Sequence, residues 1–120
     1  MILEKFRTDK YDNELVFINP DVTLKELKQY IYYQCKKFEK SEIENVILFG
    51  DDYFNFVVNF FASAFTKKNI YLISDKERLK QLKVKYIIPS KAQPAEGTLI
   101  PPDIQAKDVL INFFTSGSTG

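Results

Sequence analysis

Val46-Ile47-Leu48-Phe49, Ile70-Tyr71-Leu72-Ile73 and Asp108-Val109-Leu110-Ile111-Asn112-Phe113-Phe114 are short, largely apolar runs, and segments with helical periodicity lie between them. An apolar run without alternation suits a strand covered on both faces, which is the condition of strands in a parallel sheet. Strands separated by helices leave few architectures open. The chain is read as α/β, with alternating strands and helices and a mostly parallel sheet.

Two helices are well signed. Thr23 and Glu26 have the spacing of a capping box, with Val22 and Leu27 at the flanking staple positions. Behind them Leu24, Leu27, Ile31, Cys35 and Phe38 form one apolar stripe, and Lys25, Lys28, Gln29, Lys36 and Lys40 occupy the other face. The second helix is capped by Asp51 or Asp52 and runs to about Phe65. Its polar residues, Asn55, Asn59 and Ser63, make a thin stripe on an otherwise apolar surface, so the helix is expected to be enclosed on most sides. That stripe is read as facing solvent or bonding a neighbouring segment, in preference to lining a pocket.

Elsewhere the pattern gives a short strand at Leu15-Val16-Phe17-Ile18 closed by Asn19-Pro20, and a charged helix from Asp75 to Leu82 with Leu79 and Leu82 inward. Val84 to Ile88 reads as a strand stopped by Pro89. Residues 90–107 read as a loop with at most a brief strand at Thr98-Leu99-Ile100, and the first dozen residues give no element. The pairs Lys36-Lys37 and Lys67-Lys68 read as solvated surface.

Composition removes whole classes of function. Lys plus Arg is 17 against 16 Asp plus Glu, a balance that offers no attraction to nucleic acid or to an anionic membrane. The most apolar stretch, Tyr53 to Phe65, falls short of the roughly twenty residues of a bilayer span, so no membrane span is expected. Charges in the first seven residues stand where a signal peptide would be apolar, and a cytoplasmic location is expected. The chain has no His, which excludes Ser-His-Asp and Cys-His nucleophiles within it. Cys35 has no second cysteine to pair with, and its place on the apolar stripe makes it a core residue rather than a nucleophile. No catalytic residue and no metal ligand is assigned.

The strongest functional signal follows the last apolar run. Thr115-Ser116-Gly117-Ser118-Thr119-Gly120 leaves a strand at its carboxyl end, where open α/β sheets bind ligands. Glycines let backbone N–H groups converge on one anion, and hydroxyls add donors for phosphate oxygens. With the preceding Asn112-Phe113-Phe114, this run resembles the AMP-binding signature of the adenylate-forming enzymes, which include acyl-CoA synthetases, adenylation domains and luciferases. Asp21-Val22-Thr23-Leu24-Lys25-Glu26-Leu27 looks like the family's early helix, and Asn45 to Ser74 like its next strand, helix and strand. Ala106-Lys107-Asp108-Val109 looks like the lead-in to the signature.

The resemblance implies that residues 1–120 are the N-terminal portion of an AMP-binding domain, part of the large N-terminal domain of an adenylate-forming enzyme. The implied activity is ATP- and Mg²⁺-dependent activation of a carboxylic acid, followed by transfer to a thiol such as coenzyme A or a carrier protein. Thr115, Ser116, Gly117, Ser118, Thr119 and Gly120 would then form the phosphate loop. The family signature continues with a Pro-Lys step, and its remaining nucleotide and acyl contacts lie in later segments, so the 120 residues alone are expected to be inactive and to self-associate. Lys67-Lys68-Asn69 and Ser74 depart from the family's usual residues and leave the substrate open. The alternatives are a non-catalytic α/β interaction module and a simple nucleotide- or phosphate-binding domain.

Overall fold

The apolar runs at residues 46–49 and 70–73 become strands, and the two periodic segments become helices. In the run from Asp108 to Phe114 the strand covers Ile111–Phe114, Val109 is not in it, and Asp108 and Leu110 lie outside the described residues. The computed structural model describes residues 2–50, 52–99, 101–102, 109 and 111–114. In chain order these form α1 (Ile2–Phe6), β1 (Leu15–Phe17), β2 (Val22–Thr23), α2 (Leu24–Glu39), β3 (Asn45–Phe49), α3 (Tyr53–Phe65), β4 (Asn69–Ile73), a 3₁₀ helix (Lys76–Gln81) and β5 (Ile111–Phe114).

The sheet is parallel in the order β3-β4-β5, with Val46 opposite Ile70 and Ile70 opposite Ile111. Among the described residues, antiparallel pairing is confined to the β1–β2 hairpin. Val46, Leu48 and Ile70 join the cluster that also holds Val58, Ala62 and Phe65 of α3. Ile47, one step along β3, is equally buried, which explains why the run is apolar at consecutive positions. Helix α3 packs against β3, β4 and α2 and buries Val58, Asn59 and residues 62–65. Phe54, Phe56, Phe60 and Phe61 are only half-buried and Tyr53 is exposed, so the helix is less enclosed than its composition suggests. Small residues allow the close approach: the Cys35 thiol lies 3.9 Å from the carbonyl of Ala62.

Local chemistry sets the start of α2. The Thr23 hydroxyl accepts from the Glu26 N–H at 3.2 Å, and the Glu26 carboxylate accepts from the Thr23 N–H at 3.0 Å. All five residues of the predicted stripe are buried. The hairpin before it turns at Asn19, whose φ is 57°, and at a cis peptide to Pro20.

Four further expectations change. The strand predicted over Val84–Ile88 shrinks to one parallel bridge, in which Ile87 exchanges hydrogen bonds with Ile47 and Asn45 of β3. Val84 and Ile88 are 41% and 51% exposed, so little burial rewards extending the pairing, and Pro89 has no N–H to donate. Thr98 and Leu99 form no strand, and Ile100 lies outside the described residues. The N-terminal segment, read as featureless, carries α1. Its Phe6 is buried with ring centroids 5.1 and 5.6 Å from Phe61 and Phe65. Lys68 is not solvated surface, because its ammonium donates to the carbonyls of Ser41 and Ile43 at 2.9 and 2.7 Å. Among the described residues, no helix is long and apolar enough to cross a membrane.

Candidate functional site

Parallel register brings the strand ends level. Phe49 of β3 lies opposite Ile73 of β4, and Ile73 lies opposite Phe114 of β5. The residues that follow these ends are Gly50, Ser74 and Thr115. An opening of about 420 Å³ sits at this carboxyl edge, lined by Phe49, Gly50, Ile73, Ser74 and Lys76. The Lys76 ammonium stands 5.4 Å from the centroid of the Phe49 ring, where the π face attracts it. A Cβ placed on Gly50 would meet nothing within 4 Å, so this glycine leaves the edge open rather than relieving a clash.

The predicted site residues Thr115, Ser116, Gly117, Ser118, Thr119 and Gly120 lie outside the described residues, as does Asp51. What the fold supplies is their point of departure. The residue before them, Phe114, ends β5 beside Ile73 at the same edge as the opening. Lys76 and the Ser74 hydroxyl are the charged and polar side chains that line this edge.

A second, smaller cavity of about 110 Å³ lies between β3, the start of α3 and Pro89, and Asp52, Asn55 and Asn59 line part of it. Asp52 is already committed. It caps α3, accepting from the Asn55 N–H at 3.2 Å and from the Asn55 side-chain amide at 2.6 Å. These bonds, the side-chain one first, hold its carboxyl below the ordinary value of 3.8. A negative cap makes this cavity unsuited to phosphate.

The pKa shift also has a sign for stability. Because the folded value is depressed, the cap's charge-dependent contribution is present above the unfolded pKa and fades as pH falls through the folded one. Replacing Asp52 by Ala removes the N-cap of α3 and is expected to cost about 1 kcal/mol near neutral pH. The difference from the unsubstituted chain should narrow below pH 3.8 in urea titrations, and a gap that stays constant into acid would contradict the assignment.

Behind this cavity is a polar cluster that sequence reading half anticipated. The Gln34 amide donates to Asn59 Oδ1 at 2.6 Å and to the Ser90 carbonyl at 2.9 Å, joining α2, α3 and the segment after Pro89. Asn59 therefore bonds a neighbouring element, as read from the sequence, but it and Asn55 also line the cavity, and the buried Ser63 hydroxyl has no hydrogen-bond partner among the described residues. Gln34, which is fully buried, was not singled out. The signal was present, because residues 27, 31, 34 and 38 follow the spacing of a buried helix face. Cys35 is buried and its thiol is pushed up to about 12, mainly by burial and then by the charge of Glu39. It stays protonated at neutral pH and is no nucleophile. Among the described residues, no three His, Cys, Asp or Glu side chains gather as metal ligands.

In comparisons with protein-family models, with curated proteins and with solved structures, nothing matches this chain. The likeness to adenylate-forming enzymes rests on the residues quoted from the sequence, and the fold it has to fit is a mixed α/β one with a parallel three-stranded sheet.

Proposed function

We propose that this chain carries the phosphate-binding start of an acyl-adenylate-forming ligase, within the large N-terminal domain of that enzyme class. The observation that carries the reading is β5. It runs parallel to β4 and ends at Phe114, so the Thr115–Gly120 run begins at the carboxyl edge beside the 420 Å³ opening. Ser116, Ser118 and Thr119 supply hydroxyl donors, and Gly117 and Gly120 permit the backbone to approach phosphate closely. Their work is positioning, and stabilisation of the charge that develops on the departing phosphates. When bound, ATP would supply the adenylyl group to a carboxylate with loss of pyrophosphate, and a thiol would then take the acyl group with release of AMP. A lone, protonated cysteine suits a reducing, cytoplasmic setting.

Calorimetry with ATP and with inorganic tripolyphosphate tests the loop. Both ligands should bind with similar affinity, because the reading assigns these 120 residues the phosphates and not the adenine. Ser118→Ala and Thr119→Ala should each weaken both about fivefold, the value of one hydroxyl hydrogen bond. Marked preference for ATP would favour a simple nucleotide-binding domain instead. The 120-residue chain alone should show no carboxylate-dependent ATP–pyrophosphate exchange, and robust exchange would overturn the expected division of labour.

A second reading, an interaction module, has its own observation. Leu15, Val16 and Ile18 of the hairpin and Tyr53 of α3 are 38–80% exposed, and Val16 and Tyr53 with Phe17 and Phe61 line a groove of about 630 Å³ that Lys5 and Glu14 also border. Self-association through this face predicts a light-scattering mass above the monomer's 14.0 kDa, returning to it in Ile18→Lys. A monomer at high concentration would remove the reading.

A further inference from the structure

We propose that the cavity between β3, the start of α3 and Pro89 binds a primary carboxamide group, the head of a larger neutral amide. The argument begins at the outer edge of β3. Consecutive residues of a strand aim their N–H and C=O groups at opposite edges. The Asn69 N–H donates to the Glu44 C=O at 2.7 Å, so Glu44, Val46 and Leu48 serve β4, and Asn45, Ile47 and Phe49 serve the outer edge. There Ile87 donates to the Asn45 C=O at 2.8 Å and accepts from the Ile47 N–H at 2.9 Å. Continued in that register, residue 89 would donate to the Ile47 C=O and accept from the Phe49 N–H. Residue 89 is proline and has no N–H, and the ladder stops. Among the described residues, the Ile47 C=O and the Phe49 N–H are left without partners.

Ile47, Phe49 and Pro89 line the cavity of about 110 Å³, and so does a second group with unused capacity. Asn59 is only 8% exposed, and its Oδ1 accepts from Gln34, while its Nδ2 has no partner among the described residues. One space is therefore offered two donors and one acceptor, and buried polar groups are rarely left unpaired. A carboxamide matches all three. Its NH₂ donates to the Ile47 C=O, and its oxygen accepts from the Phe49 N–H and from Asn59 Nδ2. A carboxylate lacks the donor and would be repelled by Asp52, which also lines the cavity. An ammonium lacks the acceptor. A cavity that holds benzene measures about 150 Å³, so this one takes the amide head and not a ring. The rest of the ligand would leave past Ile88, which is 51% exposed. This site takes no anion and does not rest on the phosphate-loop reading.

The test is NMR titration of the ¹⁵N-labelled chain with propionamide, butanone and propionate. Propionamide should bind saturably at about 10 mM and shift the Phe49 amide and the Asn59 side-chain amide. Butanone keeps the shape and the acceptor but has no N–H, and it should bind about tenfold more weakly, as should propionate. Pro89→Ala supplies the missing N–H opposite the Ile47 C=O. It should weaken propionamide about tenfold and slow hydrogen exchange at residue 89. Equal affinity for the three probes, or shifts that bypass Phe49, would overturn the proposal. So would unchanged propionamide affinity in Pro89→Ala, or no saturable binding by the unsubstituted chain, the result expected of a cavity that holds only water.

Discussion

Ile31→Ala is expected to lower the unfolding free energy by about 3–4 kcal/mol, the largest single loss foreseen for this chain. Ile31 is wholly buried in the middle of the α2 stripe, among the cluster that joins α2 to α3. Removing its outer methyl groups forfeits their transfer from water and leaves a void that two packed helices cannot close completely. A small domain holds only about 5–15 kcal/mol in total, so the midpoint in urea should fall sharply with little change in slope. Lys25, on the opposite face, is exposed, and Lys25→Ala should shift the midpoint hardly at all. Equal effects at the two positions would mean that α2 is not packed by its apolar stripe.

Asn59→Leu should cost about 2 kcal/mol, and adding Gln34→Leu should restore most of it. The two amides meet at 2.6 Å inside the structure. Replacing Asn59 alone leaves a buried Gln34 N–H without its acceptor, and Gln34 Oε1 already has no partner among the described residues. Taking Gln34 away as well removes both orphaned groups, while the Ser90 carbonyl belongs to an exposed residue that water can reach. Steric cost at position 59 is small because the side chain borders the cavity of about 110 Å³. Urea midpoints of the two single variants and the double variant give the coupling. Additive losses would show that the pair is not a unit.

How much of this was legible depended on how local its cause was. The capping box, the five-residue stripe of α2 and the runs that became β3 and β4 are short-range patterns, and each appears where it was read. Asp52 rather than Asp51 was assignable only with coordinates, because either could precede the helix in sequence. The strand at Val84–Ile88 looked like the others, yet it had only Ile87 to pair, since pairing is decided by what lies alongside. Phe6 gave no periodic signal because α1 is barely more than one turn, and its place is fixed by the rings of Phe61 and Phe65.

For the site, the Thr/Ser/Gly run stood out because its chemistry is concentrated in six adjacent residues. Lys76 carried no such mark. It is one of many lysines, and only the register of β3 and β4, which brings Phe49, Ser74 and Lys76 to one opening, distinguishes it. By itself the sequence determined the alternation of elements, the helix starts and a hydroxyl-rich run after the last strand, since these follow from side-chain period and local hydrogen bonding. Tertiary structure alone decided which strands pair, which amides are buried together and which cation faces the strand ends, because those depend on neighbours tens of residues apart.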